Sequence, residues 1–258
     1  MIKDPAKTVQ DICDQIAKFT DIAVIGLSGG ADSTLITCLS SIALGKQNVH
    51  VVHMPYGVDD FNGNRFNARS LIIANHLEVN SKMVFIKDTV DALAENFNDI
   101  TPLNLGNIKA RIRMATLYSS ACEISEQHEG EYAVRVIGTG NMSEDFIGYD
   151  TKGGDALADV FPIGELYKSE VYQLLDYFVE IGKINSNMID RVPSAGLWDG
   201  QTDEDELGYT YDEMEPTIRE HMISGSWYES LVGTFVKERH LANKHKHEAP
   251  KVFKIIKD

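Results

Sequence analysis

Apolar residues recur along this chain with two different periods. Residues 22–27 form a short apolar run that stops at Ser28-Gly29-Gly30, and residues 34–44 then repeat Leu35, Leu39 and Ile42 at helical spacing. That pattern predicts a strand, a glycine turn and a helix. It returns as an apolar run over 49–53, an amphipathic stretch over 65–77, a run over 83–86 and helical spacing over 90–97. A long helix is predicted over 107–125, with Ile108, Ile112, Ala115 and Tyr118 on one face, before a strand over 134–137 that Gly138 ends. Beyond it, 168–182 reads as a helix, 203–222 as mixed helix and acidic loop, and 226–243 as a closing helix. The polar, acidic stretch 199–205 is the lid candidate.

Repeated βα units predict an α/β fold with a doubly wound, mostly parallel sheet and helices on both faces, Rossmann-like in its connections. In such folds ligands sit beyond the carboxyl ends of the strands, near the switch in strand order. Ser28, His53 and Thr139 all fall at such ends. A chain of 258 residues can bury one sizeable core, and a single domain over 1–258 is expected.

Composition narrows the choice of partners. With 43% hydrophobic and 24% charged residues and no fixed-period repeat, the chain is expected to fold rather than remain disordered. A formal charge of -15 argues against a surface that holds nucleic acid by general attraction, so an anionic ligand must find local cations. Cys13, Cys38 and Cys122 are scattered, with no C-x-x-C, which suits a reducing compartment and points to neither a disulfide framework nor a zinc site. The amino-terminal stretch lacks the apolar core of a signal peptide, and no run approaches the ~18 apolar residues of a membrane span. A cytoplasmic protein without membrane partners is the expectation.

The strongest local chemistry lies in Gly26, Leu27, Ser28, Gly29, Gly30, Ala31, Asp32 and Ser33, between a predicted strand and a predicted helix. Two glycines let backbone pass close to phosphates, the helix start offers free N–H groups to an anion, and Ser28 and Ser33 add hydroxyls. No lysine stands where a Walker A loop needs one, and the spacing is not G-x-G-x-x-G. An aspartate amid phosphates is costly unless a divalent cation lies between them, so Asp32 suggests Mg²⁺ bound jointly with a triphosphate. The plainer alternative is a structural turn in which Asp32 caps a helix, but the second glycine and second serine disfavour it.

This loop resembles the SGGxDS loop of the PP-loop ATP pyrophosphatases, the adenine nucleotide alpha hydrolase type, which cleave ATP to AMP and pyrophosphate. Further strings resemble the ammonia-dependent NAD synthetases: NIKARIRMATLY from Asn107, GTGNMSED from Gly138, GYDTKGGDALAD from Gly148, PIGELYKSEV from Pro162, PSAGLWDGQTDEDELGYTYDE from Pro193 and KHKHEAP from Lys244. The resemblance implies an ATP-dependent amidation of deamido-NAD by ammonia. It implies ATP contacts from the loop residues together with Thr139, Lys168 and Ser194. It further implies deamido-NAD contacts from Arg111, Lys152, Asp159, His245 and Lys246, Mg²⁺ ligands in Asp32 and Glu144, and a homodimer. Taken singly, Arg111, Lys152, Lys168 and Lys246 would be solvated charges, and Glu144 could equally be a helix-start charge. His245 and His247 flank Lys246, but an H-x-H without a nearby third ligand is weak support for a metal, and zinc is not expected. Met142 replaces a lysine of many relatives, and Gly153 stands where an aromatic often follows the TK pair.

The chemistry that follows is adenylation of a carboxylate, with Asp32 and Lys168 at the phosphates, then attack by ammonia, with Asp155 or Asp159 as the group that takes its proton. Ammonia rather than glutamine is expected as donor, since no cysteine has a glutaminase setting and no glutaminase domain is expected. A tRNA-modifying enzyme or the amination subunit of GMP synthetase shares only the loop convincingly. A nucleotide sensor without turnover is the rival from another class.

Overall fold

The computed structural model describes residues 1–57, 65–189 and 202–255. Asp4 opens the first helix, its side chain accepting from the Lys7 amide with Pro5 next in line, so α1 runs Pro5–Phe19 and buries Val9, Ile12, Cys13 and Ile16. Strand β1, Ile22–Gly26, follows with all but Gly26 buried, as a strand covered on both faces must be. Then come α2 (Ala31–Leu44), β2 (Val49–His53), α3 (Arg65–Leu77), β3 (Asn80–Met83), α4 (Lys87–Ala94), α5 (Pro102–Gln127) and β4 (Val134–Val136). The second half is helical: α6 (Met142–Ile147), α7 (Lys168–Glu180), α8 (Asp203–Leu207), α9 (Tyr211–Ser224) and α10 (Leu231–Asn243).

The four strands form one parallel sheet in the order β3-β2-β1-β4. Ala23 lies opposite Val49 on one side of β1, and Ile22 opposite Val134 on the other. Successive strands move outward from β1 in one direction until β4 returns to its other flank, so a crevice opens beyond the carboxyl ends of β1 and β4. The pleat sorts the core into two layers. Ala23, Ile25, Val49 and Val51 pack with Leu35 and Leu39 of α2 and Leu174 and Phe178 of α7. Ile22, Val24, Val52, Val134 and Val136 meet Ala121 and Ile124 of α5. A third cluster joins Phe146 and Ile147 of α6 to Leu207, Tyr211, Met214, Ile218 and Val236 from α8, α9 and α10. The expected α/β fold, parallel and covered on both faces, is what the chain adopts.

Several expected boundaries move, among them the helices expected over 107–125 and 90–97, which are Pro102–Gln127 and Lys87–Ala94, and three of the shifts have a clear local cause. The strand expected over 83–86 is Asn80–Met83, which pairs with His50–His53 at the sheet edge. Its exposed residues carry no apolar signal, and the apolar run begins where the ladder ends, with the Val84 amide donating to the His53 carbonyl at 2.9 Å. The closing helix starts at Leu231 rather than 226, because the Ser230 hydroxyl caps it by accepting from the Gly233 amide. The mixed segment over 203–222 resolves into α8 and α9, opened by Thr202 and Thr210 caps and separated by Gly208 at φ 75°. Residues 199–201 of the lid candidate, and Ser194, lie outside the described residues; Asp203 and Asp205 belong to α8. Among the described residues no helix is long and apolar enough to cross a membrane.

Candidate active site

The glycine loop leaves β1 and turns into α2. Gly29 sits at φ +78°, a conformation that side chains with a Cβ avoid, and lets the turn close so that the Gly30 amide donates to Ser28 Oγ at 3.2 Å. Ser28 Oγ and Ser33 Oγ lie 3.1 Å apart. The start of α2 thus presents amides and two hydroxyls to the crevice, with Asp32 in its first turn.

Across the crevice, two residues beyond β4, stands Gly138, whose missing side chain is a necessity: a Cβ there would stand 2.4 Å from the Phe161 ring. The chain then reaches Asn141, which does two things. Its side-chain oxygen caps α6, accepting from the Ser143 and Glu144 amides at 3.0 and 3.1 Å, while its Nδ2 donates to Asp32 Oδ1 at 2.9 Å. Lys168, at the start of α7, completes the bridge. Its Nζ donates to Asp32 Oδ2 at 2.6 Å and to Glu144 Oε1 at 2.7 Å, and its side chain is only 5% exposed. Burial alone would lower the lysine's pKa, but the carboxylates of Asp32 and Glu144 outweigh it and hold the ammonium charged well past its usual range. Burial pushes the Glu144 carboxyl up to about 8, against the pull of Lys168 and with Asp32 adding to the rise. Two carboxylates sharing one ammonium form an oxygen-donor pair of the kind Mg²⁺ takes, with the lysine charge standing between them.

A second layer holds these groups. Ser143 Oγ donates to Glu215 Oε1 at 2.9 Å and accepts from the Lys168 amide at 3.0 Å, so Glu215 of α9 fixes the starts of α6 and α7 together. The Tyr211 hydroxyl donates to Asp203 Oδ2 at 3.0 Å, with Glu144 Oε1 3.4 Å away. Sequence reading passed over Asn141, Tyr211, Asp203 and Glu215. The signals available were only an asparagine inside GTGNMSED and acids spaced along an acidic segment, both common in helix caps.

The expected dinucleotide residues gather on the other rim, around 148–155. Arg111 Nε donates to the Lys152 carbonyl at 3.2 Å, and Lys152 Nζ donates to the His245 carbonyl at 2.6 Å. Lys246 Nζ donates to the carbonyls of Gly148 and Asp150, each at 2.7 Å. The tail therefore folds back over this segment. Asp155, exposed at the rim, accepts from the Thr151 amide at 2.9 Å, and the protein packed around its carboxyl raises its pKa. It lines a small cavity of about 50 Å³ with Asp32, Thr139, Gly140, Glu144, Asp145, Tyr149 and Asp150. Asp159 faces elsewhere, its Oδ2 accepting from the Val136 amide at 2.8 Å and its Oδ1 from the Tyr118 hydroxyl at 3.4 Å. His53, expected near the crevice, is 1% exposed and shares a 2.9 Å hydrogen bond with Ser70.

Residues 6–250 match the family model described as NAD synthase. The chain is 36% identical over 242 residues to the NH(3)-dependent NAD(+) synthetase of Fusobacterium nucleatum, covering 90% of this chain and 88% of that one. It is 34% identical to the Methanococcoides burtonii protein of the same name, covering 89% and 86%. Among solved structures it resembles the NMN synthetase of Francisella tularensis, with a TM-score of 0.80 at 29% identity over 98% of this chain and 100% of that one. It also resembles the NH3-dependent NAD synthetase of Campylobacter jejuni in complex with nitrate, with a TM-score of 0.77 at 28% identity over 97% and 100%.

Proposed function

The chain belongs to the NAD synthase family, and on that premise we propose that it amidates deamido-NAD with ammonia, consuming ATP and releasing AMP and pyrophosphate. This is the last step of NAD biosynthesis. The observation that carries the reading is the buried Lys168 ammonium held between Asp32 and Glu144, facing a loop that has no lysine of its own.

A carboxylate resists nucleophiles because it is already charged and has no usable leaving group. ATP removes that obstacle. A nicotinate oxygen attacks the α phosphorus, the bond to pyrophosphate breaks, and an acyl-adenylate results. The amides opening α2, Ser28, Ser33, Thr139, Ser194 and Lys168 are assigned to the nucleotide, where they face the negative charge that grows on phosphate oxygens. Asp32 and Glu144 would hold Mg²⁺, which supplies charge neutralisation for the triphosphate. Arg111, Lys152, Asp159, His245 and Lys246 are assigned to deamido-NAD, and the way four of them meet around 148–155 supports that grouping. In the second half ammonia attacks the acyl carbon, AMP departs, and the surplus proton goes to a base. Asp155 is the better candidate for that base: it lines the cavity with Asp32 and Glu144, whereas Asp159 is committed to the end of β4. A single catalytic domain, a homodimer and a cytoplasmic setting complete the proposal, the last supported by three free cysteines.

The test is product analysis with purified chain, deamido-NAD, ATP-Mg²⁺ and ammonium. NAD, AMP and pyrophosphate are expected in equal amounts. ADP in place of AMP would overturn the adenylation, and efficient use of glutamine by the chain alone would overturn the ammonia assignment. Sedimentation at micromolar concentration checks the dimer. A second reading, synthesis of NMN by the same two steps, is favoured by the likeness to the Francisella fold. Comparing kcat/KM for the dinucleotide and mononucleotide acids decides between them.

A further inference from the structure

Beside the nucleotide carboxylates lies a second cluster that the amidation chemistry does not use. Asp145 stands in the first turn of α6, Asp150 in the segment after that helix and His247 in the tail, and one ligand atom from each lies within 4.8 Å of the others. Asp150 is the informative member. Its side chain is 5% exposed, and neither carboxylate oxygen accepts an aligned hydrogen bond. Such a group is expensive to bury unless something positive completes it. Lys246 Nζ comes within 3.4 Å of Oδ1, but directs its hydrogen bonds to two backbone carbonyls instead. His247 Nε2 stands 2.6 Å from Oδ2, hydrogen-bond distance without the alignment a donor needs. Two electronegative atoms converging on one point in this way describe a pair of ligands as well as they describe an ion pair.

The local charge balance points the same way. The cavity is lined by Asp32, Glu144, Asp145, Asp150 and Asp155, and among the described residues the cations against it are Lys168, Lys246 and, when protonated, His247. Lys168 is already shared by Asp32 and Glu144, which leaves the Asp145, Asp150 and Asp155 side short of positive charge. An imidazole with two carboxylates is a mixed nitrogen and oxygen donor set, better suited to a first-row divalent transition ion than to Mg²⁺, which prefers oxygen alone.

We propose that Asp145, Asp150 and His247 form a second cation site, separate from the nucleotide's, which takes a divalent transition ion such as Mn²⁺ or Co²⁺ and pins the carboxyl-terminal tail to the segment ahead of Asp155. The histidine pair in the tail lacks a third ligand only along the sequence; the fold supplies two from far upstream. The site goes beyond the amidation reading and does not rest on it, since its three ligands all come from the chain and need neither nucleotide nor acid.

The probe is Co²⁺, whose visible d–d bands report coordination by nitrogen and oxygen directly. Nucleotide-free, full-length protein is expected to bind one equivalent with visible absorbance. His247→Ala, at an exposed position, and Asp150→Asn are each expected to weaken that binding roughly tenfold or more, while Glu144→Gln leaves it in place. Circular dichroism checks that each variant is folded, and His247→Ala carries the test if Asp150→Asn is not. Absence of bands in the wild-type protein would overturn the proposal. So would bands lost in Glu144→Gln and kept in His247→Ala, which would put the ion at the nucleotide's own carboxylates. Neither result alters the product analysis above, so the two readings fail separately.

Discussion

Lys168 shows how a buried charge can be kept when its partners are fixed first. Two carboxylates from different elements meet its ammonium at 2.6 and 2.7 Å, and burial that would otherwise neutralise it is overridden. Lys168→Met leaves Asp32 and Glu144 facing each other without a cation. Pyrophosphate release is expected to fall on the order of a hundredfold or more, the scale of losing one preorganised donor in a transition state. The cysteines give a separate test. Burial pushes Cys13 from 9.0 up to about 11, with Asp14 adding to it, and Cys38 up to about 12, whereas Cys122 is exposed. At pH 8 a thiol-disulfide reagent is expected to modify one thiol in the native protein and three after unfolding. Because both folded pKa values lie above the unfolded one, the contribution of these thiols to stability is complete below pH 9 and lost as the pH climbs to about 12. At this scale the sequence was readable where a residue's chemistry has one use in its setting: Asp32 in a glycine turn asks for a cation, and Lys168 stands against it. Asn141 was not, since an asparagine ahead of a helix is explained by capping alone, and its second bond, to Asp32, exists only in the fold.

That double duty makes Asn141 the place to separate element stability from site chemistry. Asn141→Ala removes both the cap and the donor, and is expected to cost about 1 kcal/mol in chemical denaturation along with activity. Asn141→Asp keeps a capping oxygen while setting a carboxylate against Asp32, so stability should largely return and turnover should not. If both variants kept full activity, the Asn141–Asp32 bond would be structural only. Gly138→Ala is a change of a different kind: its Cβ would meet the Phe161 ring at 2.4 Å, and overpacking just beyond β4 is expected to cost roughly 1–3 kcal/mol, read as a lower denaturation midpoint. The strands that apolar runs located from the sequence, β1 and β2, are those whose residues are nearly all buried. Strand β3 was placed three residues late because Asn80, Ser81 and Lys82 are exposed at the sheet edge, and an exposed strand is held by its backbone ladder rather than by an apolar face.

For the molecule as a whole, the sheet supplies the frame and the tail supplies one wall. The tail is held by Lys152 to the His245 carbonyl and by Lys246 to Gly148 and Asp150, while contributing none of the two large core layers. Ending the chain after Asn243 is therefore expected to raise KM for deamido-NAD with little change in melting temperature. Phe178→Ala is the opposite case: the ring is fully buried between the sheet and its helices, and the loss is expected to be about 3–5 kcal/mol, measured in urea, with KM unchanged in the fraction that remains folded. The parallel sheet was legible from the repeated βα pattern, but the order of its strands, with β4 beside β1, was not, because apolar spacing reports which residues are buried and not which strand lies next to which. The bond from Lys168 to Asp32 spans 136 positions, and that from Asn141 to Asp32 spans 109. A refolding chain can recover helical ellipticity early, from contacts close in sequence, but catalysis must wait for its most distant loops to close. Turnover in stopped-flow refolding is thus expected to lag the far-ultraviolet signal, making the enzyme's own activity a clock for the last topological event in its assembly.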